Sequence, residues 1–348
     1  MRNTQIKMAY HVPVIGILVL AVMVIFVANL FYGSVRIPAG EVFHILMGGQ
    51  GSKSSWEFIV WHSRLPQAVT AMLCGSSLAA SGLLLQTYFH NPLAGPSILG
   101  ITNGASLGVA IVMLVTGGVI GSATAGDSGL QLVGFVAVVV AAFIGAMVVI
   151  ALLLFVTKFV RNTLAILILG IMVSYLTSSF VSLCNFFANA ESVHTYVNWG
   201  MGSFSNVNLD QLPLFGGLCL AGLLIAILLV KPLNAILLGE NYAANLGVNV
   251  QSTRLLILLS TGILTAITTA FCGPVAFIGL AVPHIARLVM QEADHRVLLP
   301  ATILIGALIA LLCNIICLLP QNLIIPLNAV TPIFGAPVII YIIMRRQF

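Results

Sequence analysis

The chain has 348 residues and a formal net charge of +5, with 60% hydrophobic and only 6% charged residues. A soluble globular domain carries roughly 25% charged residues, so this composition, with a mean hydropathy of +1.15, excludes a soluble enzyme or binding module and fits a polytopic membrane protein. The positive charge sits in connections between apolar segments, beside lipid headgroups, so it argues topology rather than nucleic-acid binding.

The first apolar run, residues 14–32, follows Arg2 and Lys7 and has only Asn29 as a strongly polar member. It exceeds the roughly 7–15 apolar residues of a secretory signal, so it reads as a retained first span. Residues 33–63 form an outer connection long enough for short surface helices. Within it, GGQGSKS (Gly48 to Ser54) superficially resembles a phosphate-binding loop, but Ser52 separates Gly51 from Lys53 and no strand precedes it. Residues 65–126 contain no Asp, Glu, Lys or Arg and hold two spans, near 65–86 and 96–117. In the second, Gly100, Gly104 and Gly108 recur every four residues and line one helix face, a pattern for tight packing within the subunit.

Further spans fall near 130–157 and 163–186, followed by a second outer segment, 189–210, and a span near 211–230. The inner loop 231–254 is the longest cytoplasmic connection. Spans near 254–272, 275–290, 298–319 and 329–344 complete a set of about ten. The segment 275–290 is unusual, because GPVAFIGLAVPHIAR (Gly273 to Arg287) carries Pro274 and Pro283 in an apolar context. The donor and acceptor that a proline leaves unpaired need a partner inside the protein. An even span number with the N-terminus inside places both termini in the cytoplasm. Arg2, Lys7, Lys158, Arg161, Lys231, Arg254, Arg287, Arg296, Arg345 and Arg346 then lie inside, and only Arg36, Lys53 and Arg64 outside, as the positive-inside rule requires. Trp56, Trp61 and Trp199 fall on the outer side, at the interface that indole rings favour.

The candidate chemistry is sparse. All eight acidic residues map to connections or span ends, so no internal carboxylate is available to couple transport to an ion gradient. His284 is the only histidine within a predicted span and reads as a packing residue; the others lie near interfaces. The six cysteines fall in apolar segments and form no extracellular disulfide framework; Cys313 and Cys317, one turn apart, read as small buried hydrophobes. A secondary carrier would need an intramembrane ionisable site, for which His284 is the sole candidate. A membrane-embedded enzyme would need a paired nucleophile and base, and His284 has no evident partner.

Four blocks, in order, carry a family resemblance: Arg64 to Gly108, containing RLPQ, HNPLA, PSILG and NGA; LGENYAANLGV, Leu238 to Val248; the stretch Gly273 to Arg287 followed by DHRVLLP, Asp294 to Pro300; and Pro326 to Pro337, containing VT and GAP. Together they resemble the FecCD family, permease subunits of ATP-driven importers of iron siderophores, haem and cobalamin. The resemblance implies an all-α bundle of about ten transmembrane helices, of the type II ABC importer permease kind, in a single transmembrane domain over residues 1–348. It implies a transport subunit of the bacterial inner membrane and not an enzyme. Its implied partners are a second copy of itself, two ATP-binding cassette subunits that hold ATP and Mg, a periplasmic or lipid-anchored substrate-binding protein, and membrane lipid; nucleic acid and a cofactor of its own are not expected.

By motif position, the resemblance implies that Gly239, Glu240, Ala243, Leu246 and Gly247 form the coupling loop that meets the ATPase. It places a cytoplasmic gate at Asn91 and Leu93, with Thr163 and Leu164. Arg64, with Arg36 and Lys53, is left to meet acidic groups of the binding protein. This chain departs from the pattern at Gln67, where Arg is frequent; at Cys313–Asn314 and Cys317–Leu318, in place of Ala–Asp and Ala–Arg; and at Asn328 and Pro332, in place of Gly and Ala.

Overall fold

A computed structural model describes residues 2–115, 128–157, 159–160, 163–319 and 324–346, and these form helices with no strand among them. Six helical stretches among the described residues are long and apolar enough to cross a membrane: His11–Phe31 within α1 (Arg2–Phe31), Ser54–Tyr88, Val136–Val156 within α6 (Ser128–Thr157), Ala165–Phe187 within α7 (Thr163–Phe187), Val250–Cys272 (α12) and His295–Leu318 (α14). A seventh pairs α9 (Leu212–Leu228) with α10 (Val230–Ile236) across a 49° bend. Three shorter apolar helices complete the predicted ten: Ile101–Val115, which is α5 (Ile101–Ala110) and a π-helical turn, α13 (Ile278–Met290) and the apolar part of α15 (Leu327–Arg346).

Each predicted span therefore has its helix, but three helices are shorter than a bilayer. At 1.5 Å per residue, the 13 residues of α13 cover about 20 Å of a hydrocarbon core of about 30 Å. Irregular backbone at membrane depth is tolerated where protein surrounds it, and residues 273–277 before α13 satisfy that condition. Gly273 (φ 76°) and Phe277 (φ 67°) both adopt positive φ there. Asn328 at the start of α15 holds this stretch, donating from Nδ2 to the carbonyls of Pro274 (2.6 Å) and Gly200 (2.9 Å).

α4 (Leu65–Tyr88) is the axis of the bundle, packed against α9, α12, α13 and α14. Its sequence, rich in Ala, Ser and Gly, lets neighbouring backbones come close. A Cβ on Gly75 would overlap the Gly306 carbonyl of α14, and one on Gly82 the Gly279 carbonyl of α13. Gly279 stands four residues before Pro283, whose missing N–H leaves that carbonyl without its helical donor. The freed carbonyl lies against the one residue of α4 that has room for it. The glycines of α5 behave similarly: a Cβ on Gly104 or Gly108 would strike Gly145 or Ala141 of α6, so the stripe packs within the subunit.

The outer segments fold as α2 (Ala39–Leu46), α3 (Ser54–Ile59) and α8 (Ala190–Gly200), with Asn189 capping α8 through Ser192 N–H. The loop around Ser52 is fastened to Glu41, which accepts from the Ser52 backbone (3.0 Å) and hydroxyl. Between α9 and α12 lie α10 and a short helix, α11 (Glu240–Asn245).

Candidate functional site: coupling loop and gate

Gly239, Glu240, Ala243, Leu246 and Gly247 lie on and beside α11. Gly239 (φ 108°) and Gly247 (φ 83°) bracket α11, and positive φ at both ends lets the chain turn sharply into and out of a single helical turn. Ala243 is fully buried and seats the turn, whereas Leu238, Tyr242 and Leu246 are each more than half exposed. An apolar cluster on a polar-ended knuckle is a surface shaped for a protein partner. Glu240 pairs with Arg254 of α12 at 3.6 Å, and the Arg254 guanidinium lies over the Tyr88 ring of α4.

α10 is tied to the bundle by a polar cluster that sequence reasoning did not single out. Asn234 Nδ2 donates to Asp294 Oδ1 (2.6 Å), and its Oδ1 accepts from His295 N–H (2.9 Å) and Nδ1 (2.8 Å). His295 Nε2 meets the Thr87 hydroxyl at 2.8 Å. Asp294 also caps α14 through the Arg296 N–H. Burial raises the Asp294 carboxyl, but the Arg296 N–H and Asn234 amide outweigh it and hold its pKa below the ordinary value. Its contribution is present above the unfolded-state pKa and is lost as pH falls through the depressed one. The DHR triplet was visible in the sequence as a family mark; the signal for its role was a partner 60 residues away, which no local pattern reveals.

At the other end of the same region, Asn91 Oδ1 accepts from Leu93 N–H (2.9 Å), which makes a compact turn with Leu93 exposed at its tip. His284 Nε2 bonds the Pro92 carbonyl at 2.7 Å and Arg287 donates to Gln86 Oε1 at 2.7 Å, while Gln86 donates to the Leu280 carbonyl. His284 is thereby a packing residue that locks the Asn91 turn onto α13, as expected. Thr163 opens α7 and Leu164 follows it, but their side chains, with Lys158 and Arg161, lie outside the described residues. Among the described residues no group of three or more His, Cys, Asp or Glu is placed to hold a metal, and all six cysteines are free.

The outer docking set needs a correction. Arg36 and Lys53 are exposed, Lys53 over the Trp56 ring. Arg64, by contrast, is only 4% exposed and donates to the carbonyls of Leu30 (2.8 Å), Phe31 (2.8 Å) and Val35 (2.6 Å). It caps the C-terminus of α1, where orphan carbonyls and the helix dipole favour a cation, and it offers no surface to a partner. The departures at Gln67 and Asn314 are hydrogen-bonded to each other: Gln67 donates to Asn314 Oδ1 (3.1 Å), Asn314 to Asn29 Oδ1 (2.8 Å), and Asn29 to the Leu311 carbonyl (3.2 Å). These amides link α4, α14 and α1, with Gln67 half-buried at the wall of a cavity that Asn314 also lines.

The comparisons with known proteins agree with this architecture. The FecCD transport family model matches residues 20–345. The vitamin B12 import system permease protein BtuC of Klebsiella pneumoniae is 32% identical over 331 residues, covering 95% of this chain and 93% of that protein. BtuC of Salmonella typhi is 32% identical over 298 residues, covering 83% and 84%. An inward-facing structure assigned to a metal-chelate type ABC transporter superposes with a TM-score of 0.81 at 27% identity, covering 96% of this chain and 99% of that one. PsaBC from Streptococcus pneumoniae, solved with a Fab, shares the fold at a TM-score of 0.54 and 15% identity over 86% of this chain and 94% of that one. With its helical bundle and these relatives, the chain belongs to the FecCD transport family and is a multi-pass permease subunit of an ABC importer.

Proposed function

We propose that this permease works as a homodimer in the bacterial inner membrane, with both termini cytoplasmic, and imports cobalamin, haem or an iron siderophore. Residues 1–348 act as one transmembrane unit. Two ATP-binding cassette subunits, carrying ATP and Mg, dock on the knuckle Gly239 to Gly247; a periplasmic or lipid-anchored binding protein delivers the cargo. The chain binds no cofactor of its own. The observation that carries the reading is the α11 knuckle, whose exposed Leu238, Tyr242 and Leu246 stand on a turn fixed by two positive-φ glycines. Cobalamin heads the cargo panel because the relatives above are named as vitamin B12 permeases.

The gate reading assigns closure of the inner mouth to the Asn91 turn with the start of α7, Thr163 and Leu164, each meeting its mate from the second copy. On the outer face, Arg36 and Lys53 are the cations left to meet acidic groups of the binding protein. Reconstitution with the cognate ATPase and binding protein, followed by ATP-dependent uptake of cobalamin, haem and siderophores, tests the whole proposal. Gly247→Trp, which forces a bulky side chain onto a positive φ of 83°, should abolish uptake and ATPase stimulation and leave the dimer assembled. Persistent uptake in that variant sinks the coupling assignment, and accumulation of no ligand by a complex with all subunits active sinks the cargo class.

A further inference from the structure

The last turn of α4 and the residues just after it touch the coupling elements at three points. Thr87 reaches α10 through His295 and Asn234; Tyr88 lies under Arg254, which pairs with Glu240 of α11; and His90 Nε2 bonds the Ile236 carbonyl at the end of α10 (3.1 Å). The chain then runs directly into Asn91 and Leu93 of the gate turn.

The orientation of the Asn234 amide is fixed by the one obligate acceptor in this cluster. The Asp294 carboxylate cannot donate, so Asn234 presents its amide N–H to Asp294 and its carbonyl oxygen to His295. Nδ1 of His295 therefore carries a proton toward Asn234, and Nε2 shares a hydrogen bond with the Thr87 hydroxyl. Both ring nitrogens are used, and His295 is 1% exposed. Three elements, α4, α10 and α14, thus meet at one buried imidazole whose bonds are directional.

We propose that Thr87, His295 and Asn234 are positioning residues that transmit movement of the ATPase-facing helices α10 and α11 to α4 and, through it, to the Asn91 gate turn. The proposal rests on the importer reading above. What makes α4 a transmitter is its packing: Gly75 and Gly82 hold it in backbone contact with α14 and α13, so a displacement at Thr87 moves a close-packed rod and is not absorbed by loose side chains. Spatial intermediacy alone does not establish coupling, so the test is a measured interaction between the parts.

In proteoliposomes holding the full complex, Thr87→Val, a near-isosteric change, should lower cargo imported per ATP hydrolysed about fivefold, the factor equivalent to the ~1 kcal/mol of one hydrogen bond, and leave basal ATPase within about twofold. His295→Leu should lower that ratio at least about tenfold, and the double variant should be no worse than His295→Leu, because both act on one serial link. Import per ATP within about twofold of wild type in Thr87→Val and His295→Leu, with normal assembly, overturns the relay, as do fully additive losses. If His295→Leu fails to assemble, Thr87→Val decides alone. A cargo-free readout separates this idea from the importer reading: spin labels at Leu93 and Leu246, both exposed, should change distance on adding an ATP analogue in wild type and not in His295→Leu. A wild-type complex that shows this change but imports none of the panel refutes the cargo reading and leaves the relay standing.

Discussion

α1 and α4 are both long membrane helices, and they obey opposite rules. The α1 span is among the most apolar in the chain and only 17% of it is buried, whereas the α4 span is the least apolar and 83% buried. α6 resembles α1, and α12 resembles α4. In water the oily helix would be the core. In lipid, burial of oil against oil gains little, so helices associate through close packing and hydrogen bonds, and the small, weakly polar sequences go inside. α7 breaks the pattern: its span is weakly apolar yet only 22% buried, with Tyr175, Ser178, Ser179 and Ser182 exposed. A face of that composition suits a second copy of the chain or an aqueous path better than lipid, which supports the dimeric reading proposed above.

Five substitutions break or sharpen this contrast. The largest effect is expected for Gly82→Val in α4, which drives a side chain into the Gly279 carbonyl and should cost at least ~3 kcal/mol; the matched Gly16→Val in α1, where nothing lies within 4 Å of the new Cβ, should leave thermal unfolding in detergent nearly unchanged. Arg64→Met should follow at about 3 kcal/mol, because it strips the C-terminal carbonyls of α1 of their donor. Loss of binding-protein affinity with unchanged stability would instead restore Arg64 to the docking surface.

Asn314→Leu removes the middle of the amide chain between α4, α14 and α1 and should cost about 1 kcal/mol, seen as a small drop in unfolding temperature. The smallest effect on stability belongs to Ser178→Phe on the open face of α7. If that face meets a second copy or the path, uptake falls at least about tenfold while the unfolding temperature stays put; unaltered uptake would return α7 to lipid.

Much of this was legible in the sequence. Charge-free runs, helix-breaking residues and the asymmetry of Lys and Arg located all ten apolar segments, and the resemblance of Leu238 to Val248 located the knuckle before its glycines were seen to turn it. Arg64 was misread because a cation near a predicted interface looks exposed; only the end of α1, 34 residues earlier, shows that it is a cap. Gln67 and Asn314 stand out in the sequence only as departures from the family pattern; they are 247 residues apart in the chain but hydrogen-bonded.

The sequence by itself determined a multi-pass helical bundle, its family and the sites of its breaks, because hydropathy, charge and proline act locally along the chain. Only the tertiary structure decided which helices lie inside, that the Gly279 carbonyl freed by Pro283 rests on Gly82, and that His295 joins Thr87 to Asn234. Those outcomes depend on which backbones approach closely enough to exclude a Cβ and which polar groups then find no water, and both are properties of the packed bundle.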